Sequence, residues 1–166
     1  MKQILRFPLL LLLLLGVGLA GCDDDDDPLK GKLRYAVTLH VTGENLTGLG
    51  AGMEYTTVRN TLTNPHPGPN GQGTYATRVD TTYQLGEYGA YDLLEVKLFM
   101  RNLNCQNAAA QLGPNRWLKA EIRANGLLVD KLELNQTTVG QANCNTLIPY
   151  PVLLVGVGGA GGGWDD

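Results

Sequence analysis

The sequence predicts an all-β domain, an antiparallel sandwich of about seven strands, on three observations. Apolar residues recur at every second position in several separate segments, the spacing of half-buried strands. Asn125-Gly126 lies between two such segments and supplies the positive φ angles of a type I′ hairpin turn. Beyond the first 21 residues, no segment carries an amphipathic helical pattern of useful length. A small closed barrel satisfies the same pattern and stands as the alternative.

In chain order, Leu33 to Thr42 puts Leu33, Tyr35, Val37, Leu39 and Val41 on one face and Arg34, Thr38, His40 and Thr42 on the other. Met53 to Thr63 alternates through Met53, Tyr55 and Thr57 and then changes phase to Val58, Asn60 and Leu62, so a strand interrupted near Thr57 is expected. Asn64 to Gly73 holds three prolines and three glycines, which predict an exposed loop outside helix and ladder alike. Thr74 to Leu85 reads as one strand with Tyr75, Val79 and Tyr83 facing the core. Tyr91 to Arg101 sets Leu94, Val96, Leu98 and Met100 against Glu95, Lys97 and Arg101, with Phe99 the exception on the outer face.

Ala108 to Gln111 has helix propensity but room for only one turn before Gly113-Pro114. Trp117 to Ala124 alternates cleanly, and Asn125-Gly126 returns it into Leu127 to Leu134. Val152 to Val157 forms the last strand, followed by a glycine-rich tail. The order of strand, bulged strand, long loop, two strands, Asn-Gly hairpin and final strand resembles the small immunoglobulin-like domains of bacterial envelope lipoproteins. One departure is plain: Trp117 lies only 12 residues after Cys105, so the cysteine–tryptophan–cysteine spacing of antibody domains is not reproduced.

The N-terminus reads as a targeting segment. Lys2 and Arg6 precede an uncharged stretch from Phe7 to Gly21, and Ala20 and Gly21 lead directly into Cys22. As a helix the stretch spans about 22 Å, short of the roughly 30 Å hydrocarbon core of a bilayer. Leu19-Ala20-Gly21-Cys22 resembles the bacterial lipobox. That resemblance implies lipidation of Cys22, cleavage before it, and a membrane anchor of two or three acyl chains, since one chain alone holds only marginally. Asp23 to Asp27 follow, five carboxylates expected to stay extended and solvated. They resemble the surface-export signal of Bacteroidota-type lipoproteins, which implies the outer membrane and a surface-exposed domain. An aspartate just behind the lipidated cysteine also resembles the enterobacterial inner-membrane retention signal, the opposite address. The expected organisation is a signal peptide (1–21), a lipidated acidic tether (22–32), a β-sandwich (33–157) and a glycine-rich tail (158–166).

Of the 13 basic and 16 acidic residues, removal of Lys2, Arg6 and the five aspartates leaves eleven of each. A neutral body offers no basic footprint for nucleic acid. With Cys22 committed to lipid, Cys105 and Cys144 form an even pair in an oxidising compartment, and a disulfide between two polar loops is expected.

Motifs for chemistry are sparse, and no enzyme, cofactor or metal site is expected. Gly156-Val157-Gly158-Gly159-Ala160-Gly161 satisfies GxGxxG, but dinucleotide binding needs a following helix and an acidic residue about twenty positions on, and only five residues remain. The chain has no serine. His40 and His66 have no metal-ligand spacing around them. Asp80, Glu87, Asp92, Glu95 and Glu121 read as strand faces and turns with no cleft to pair them across a sugar. Aromatics carry the one binding cue: Tyr88, Tyr91 and Trp117 are candidate stacking residues for a glycan or peptide. The expectation is a non-catalytic, membrane-anchored envelope lipoprotein that binds or supports a partner, a protein in the first reading and a carbohydrate in the alternative.

Overall fold

A computed structural model describes residues 34–145, 147–159 and 164. The expected signal peptide, Cys22 and the aspartate run lie outside the described residues. The elements are β1 (Arg34–Glu44), β2 (Ala51–Arg59), β3 (His66–Pro67), β4 (Gly71–Tyr75), β5 (Val79–Gly89), β6 (Leu93–Met100), a one-turn helix α1 (Ala108–Leu112), β7 (Trp117–Ala124), β8 (Leu127–Leu134) and β9 (Val152–Gly158), with a 3-10 turn at Val139–Gln141. The strands form two antiparallel sheets packed face to face, as expected for a sandwich. One sheet has the order β5-β1-β7-β8; in the other β2, β6 and β9 follow in order and both β3 and β4 pair with the outer edge of β2.

Strands β1, β2, β5 and β6 occupy the places of strands B, C, E and F of an immunoglobulin domain, with β4 and β9 flanking the second sheet. The difference lies beside β1. In that fold its second neighbour precedes it in sequence; here β7 takes the place, late in the chain, and brings β8 with it.

The core is the alternation made physical. Leu39 and Val41 of β1, Met53 of β2, Leu94, Val96 and Leu98 of β6, Leu118, Ala120 and Ile122 of β7 and Leu134 of β8 all lie between the sheets, fully buried. Asn125 and Gly126 take φ angles of 52° and 84°, as the I′ turn requires. The hairpin tip is fixed to β1, because Asn125 N donates to Ala36 O and Asn125 Oδ1 accepts from Ala36 N.

Several local expectations are corrected. β2 pairs with β6 from Ala51 to Val58 without a register shift, so no interruption occurs at Thr57. Thr57 is instead buried, and its hydroxyl pairs with that of Tyr88, which offsets the cost of placing a polar group in the core. The Pro-Gly loop is not free of ladder: His66–Pro67 pairs with Val58–Arg59, and Gly71 opens β4. Pro67 is tolerated there because an edge position does not require its missing N–H. The single strand expected from Thr74 to Leu85 is two, since β4 pairs with β2 in one sheet and β5 with β1 in the other. Phe99 does sit on the outer face of β6 but is only 2% exposed. The Arg101 guanidinium lies 4.3 Å from its ring centroid, Tyr150 meets its edge at 6.3 Å, and Gly52 leaves room opposite, where a Cβ would run into the ring.

The tail is also corrected. Residues from 158 were expected to fall outside the domain, yet β9 includes Gly158 and Trp164 is 4% exposed within the core cluster.

Candidate binding site at the disulfide pole

The sandwich has two distinct poles. β1 runs from Arg34 to Glu44, about 34 Å at ~3.4 Å per residue. Register places Gly89 opposite Arg34, and the 59–61 and 89–92 turns meet beside it through Thr61 N donating to Tyr91 O. We call this the entry pole. At the other end lie Trp117 opposite Glu44, the 45–50 loop, and the long connections that flank α1 and precede β9.

Cys105 and Cys144 are joined in a disulfide at that far pole, with Cα atoms 6.1 Å apart and a sequence separation of 39. The expected staple between two connections is therefore present. Asparagines shape both loops. Asn104 Oδ1 accepts from Gln106 N, Asn145 Oδ1 accepts from the amides of Leu147 and Ile148, and Asn102 Nδ2 donates to Gly48 O. The Asn104 and Asn145 bonds are side-chain turns, in which a short amide side chain replaces a backbone partner, and the Asn102 bond ties its loop to the 45–50 loop. Between the loops runs an open groove of about 670 Å³ lined by Arg101, Asn102, Asn104, Gln106, Asn145 and the disulfide itself. Leu147 stands 90% exposed in the turn that Asn145 organises. A second hollow of about 380 Å³ lies at the same pole between Asn45 and the 112–116 segment, where Asn45 Nδ2 donates to Asn115 O at 2.7 Å.

The entry pole is closed by a polar knot. Asp92 is 9% exposed, and its carboxylate accepts from Gly89 N, Asn60 N and Arg59 Nη1. Burial alone pushes its pKa up, but those three donors outweigh it and hold the group below its ordinary value. Arg59 also lies 4.0 Å over the centroid of the Tyr88 ring, and Asp92 O accepts from Trp164 Nε1. Burial raises the Tyr88 pKa, so its hydroxyl stays protonated.

The three aromatic candidates do not converge. Tyr88 is a core residue at 0% exposure and presents no face to solvent, a correction with a specific cause. In β5, Val37 pairs with Gly86 but Thr38 pairs with Gln84, so Leu85 is an extra residue, and Gly86 adopts φ +86°. This bulge reverses the alternation, and Tyr88 turns inward where strict period two points it out. Tyr91 is half-buried at the entry pole, and Trp117 is half-buried at the disulfide pole. Tyr75 and Tyr83, expected in the core, pack against it and share a 3.1 Å hydroxyl bond; burial first, and that bond second, raise the Tyr75 pKa.

The candidate acids and histidines are likewise dispersed. His40 Nε2 meets Asp80 Oδ1 at 2.9 Å on the outer face of the first sheet, whereas His66 Nδ1 lies 3.0 Å from Asn64 O in β3. Glu121 is held by Lys119 and Arg123, whose hydrogen bonds lower its pKa to about 2. Glu95 accepts from Thr56. The groove residues Asn102, Gln106 and Asn145, and exposed Leu147 in the turn beside them, were not singled out from sequence; the one available signal was the asparagine-rich setting of the two cysteines. Compared with protein-family models, with curated proteins and with solved structures, the chain gives no match.

Proposed function

We propose that this chain is a non-catalytic envelope lipoprotein, anchored through acyl chains on Cys22, that binds a protein partner with its disulfide pole. The observation that carries the reading is polar: β1 begins at Arg34 at one pole, and the stapled groove with exposed Leu147 lies at the other. An anchor preceding Arg34 joins the domain at the entry pole and leaves the opposite loops facing away from the membrane. The outer membrane and the cell surface fit the acidic run behind Cys22. Leu147 supplies an apolar anchor, while the surrounding amides and Arg101 supply a polar rim.

The test is site-specific photocrosslinking in intact cells, with the crosslinker at Gln106 in the groove or at Asn125 in the entry-pole hairpin. The proposal expects one discrete adduct from Gln106 and none from Asn125. Equal adducts from both positions, or an adduct from Asn125 alone, contradict it.

Carbohydrate binding is the second reading, favoured by the four amide side chains along the groove, which suit sugar hydroxyls. A glycan array decides it: binding that Asn145→Ala and Gln106→Ala remove supports a glycan ligand, and a blank array rejects one.

A further inference from the structure

We propose that the Cys105–Cys144 bond is a redox switch of the groove: a dithiol reduces it in the folded domain, and its state sets whether the two walls are held together to bind. The inference rests on the binding role proposed for this groove and names its regulation.

The bond is open to attack from solvent. Cys144 is exposed and Cys105 half-buried, and both line the open groove of about 670 Å³. A sulfur so placed meets a thiolate without prior unfolding, and exposed disulfides are the labile ones. Neither cysteine belongs to the hydrophobic core cluster, whereas the chain around them is seated in that core through Leu103, Ala108, Leu112 and Val139. Cutting the bond therefore removes no core residue.

The bond is also what spans the groove. One wall, residues 101–107, is tied to the 45–50 loop by Arg101 N donating to Gly50 O, Asn102 N to Leu49 O and Asn102 Nδ2 to Gly48 O, and to α1 by Asn104 N donating to Gln111 Oε1. The other, residues 143–149, is tied to β9 by the two backbone bonds between Asn143 and Val152 and is shaped within itself by the Asn145 turn. Among the described residues, no hydrogen bond or ion pair crosses from one wall to the other, and the disulfide holds their Cα atoms 6.1 Å apart. Reduction leaves each wall its own supports and releases the distance between them.

The exchange balances. A thiolate of the dithiol attacks Cys144 Sγ, the S–S electron pair leaves on Cys105 Sγ, and that thiolate takes up a proton. The second thiol of the reductant, once deprotonated, attacks its own sulfur in the mixed disulfide, closes the reductant's disulfide and releases Cys144 to be protonated. Two electrons and two protons pass from the dithiol to the pair, and a disulfide oxidant runs the steps in reverse.

The test uses the full chain in detergent, reduced with dithiothreitol and quenched with iodoacetamide for mass spectrometry. Reduction of the folded chain should run within about tenfold of the rate in urea-unfolded chain, whereas a bond reached only through global unfolding reacts at least about a thousandfold more slowly. Circular dichroism should be retained, and amide hydrogen exchange should quicken at least about tenfold at 102–106 and 143–148 while β1, β6 and β7 stay protected. In cells, dithiothreitol should abolish the Gln106 crosslink and oxidised glutathione should restore it. Cys105→Ala/Cys144→Ala should give no crosslink with or without reductant. The proposal is overturned by protection of the bond in the folded chain, by unfolding on reduction, by unchanged exchange in both walls, or by an adduct that survives reduction or the double substitution. Absence of any adduct from the oxidised wild-type chain rejects the binding role alone, and the rate and exchange measurements then decide the switch.

Discussion

The hydroxyls of Thr57 and Tyr88 meet 2.7 Å apart between the two sheets, one from β2 and one from β5, and both residues are buried. Each satisfies the other where water does not reach. Thr57→Val or Tyr88→Phe alone orphans the remaining hydroxyl and should cost about 1–3 kcal/mol in urea denaturation. The double variant should cost less than the sum of the two, because no buried hydroxyl is left unpaired. Additive losses would show that the bond contributes nothing to the interface between the sheets.

Asp92 makes stability depend on acid. Its folded pKa is depressed, so its contribution is fully present above the ordinary carboxylate pKa near 4 and is lost as pH falls through the lower folded value. Glu121, held near a pKa of about 2 by Lys119 and Arg123, acts in the same direction. Unfolding free energy should therefore decline from about pH 5 toward pH 2. Asp92→Asn leaves half-buried Arg59 opposite a neutral group and should cost about 1–3 kcal/mol at pH 7. It should also flatten the acid limb without abolishing it, since Glu121 remains. An unchanged limb in the variant would remove Asp92 from this account.

The disulfide closes a loop of 39 residues. Chain-entropy arithmetic gives about 4 kcal/mol for a loop of that size, so reduction should lower the urea midpoint accordingly. The Cys105→Ala/Cys144→Ala variant should match the reduced wild type and show no further response to reductant. Because both cysteines line the groove, the same variant should lose the Gln106 crosslink even where the sandwich persists.

Leu147 separates binding from folding. At 90% exposure, Leu147→Asp should change stability by no more than about 0.5 kcal/mol. The same change should abolish the adduct from Gln106. An undiminished adduct would place the partner elsewhere.

Much of this architecture is legible in sequence because its cause is local. The alternation in β1, β6 and β7, the positive φ angles demanded at Asn125-Gly126 and the polar settings of Cys105 and Cys144 are read from neighbouring residues alone. What was missed has tertiary causes. Gly86 beside Leu85 is the local sign of a bulge, but that it turns Tyr88 inward follows from the register against β1. Trp164 follows a run of glycines, and its burial depends on Tyr35, Tyr88 and Asp92, which lie at least 72 residues away. The groove is similar: Asn102, Gln106 and Asn145 meet only because β9 returns beside β6 and the disulfide draws the two connections together. Sheet pairing sets these positions, and no periodicity encodes it.

The anchor on Cys22 is the claim on which the orientation of both poles depends. Cells expressing the wild-type chain or Cys22→Ala are fed an alkyne-tagged fatty acid, and the chain is then purified under denaturing conditions and read for label. The account predicts label on the wild-type chain, with its N-terminus beginning at Cys22, and none on the variant. Label that survives Cys22→Ala, or a wild-type chain that never acquires it, would contradict the account.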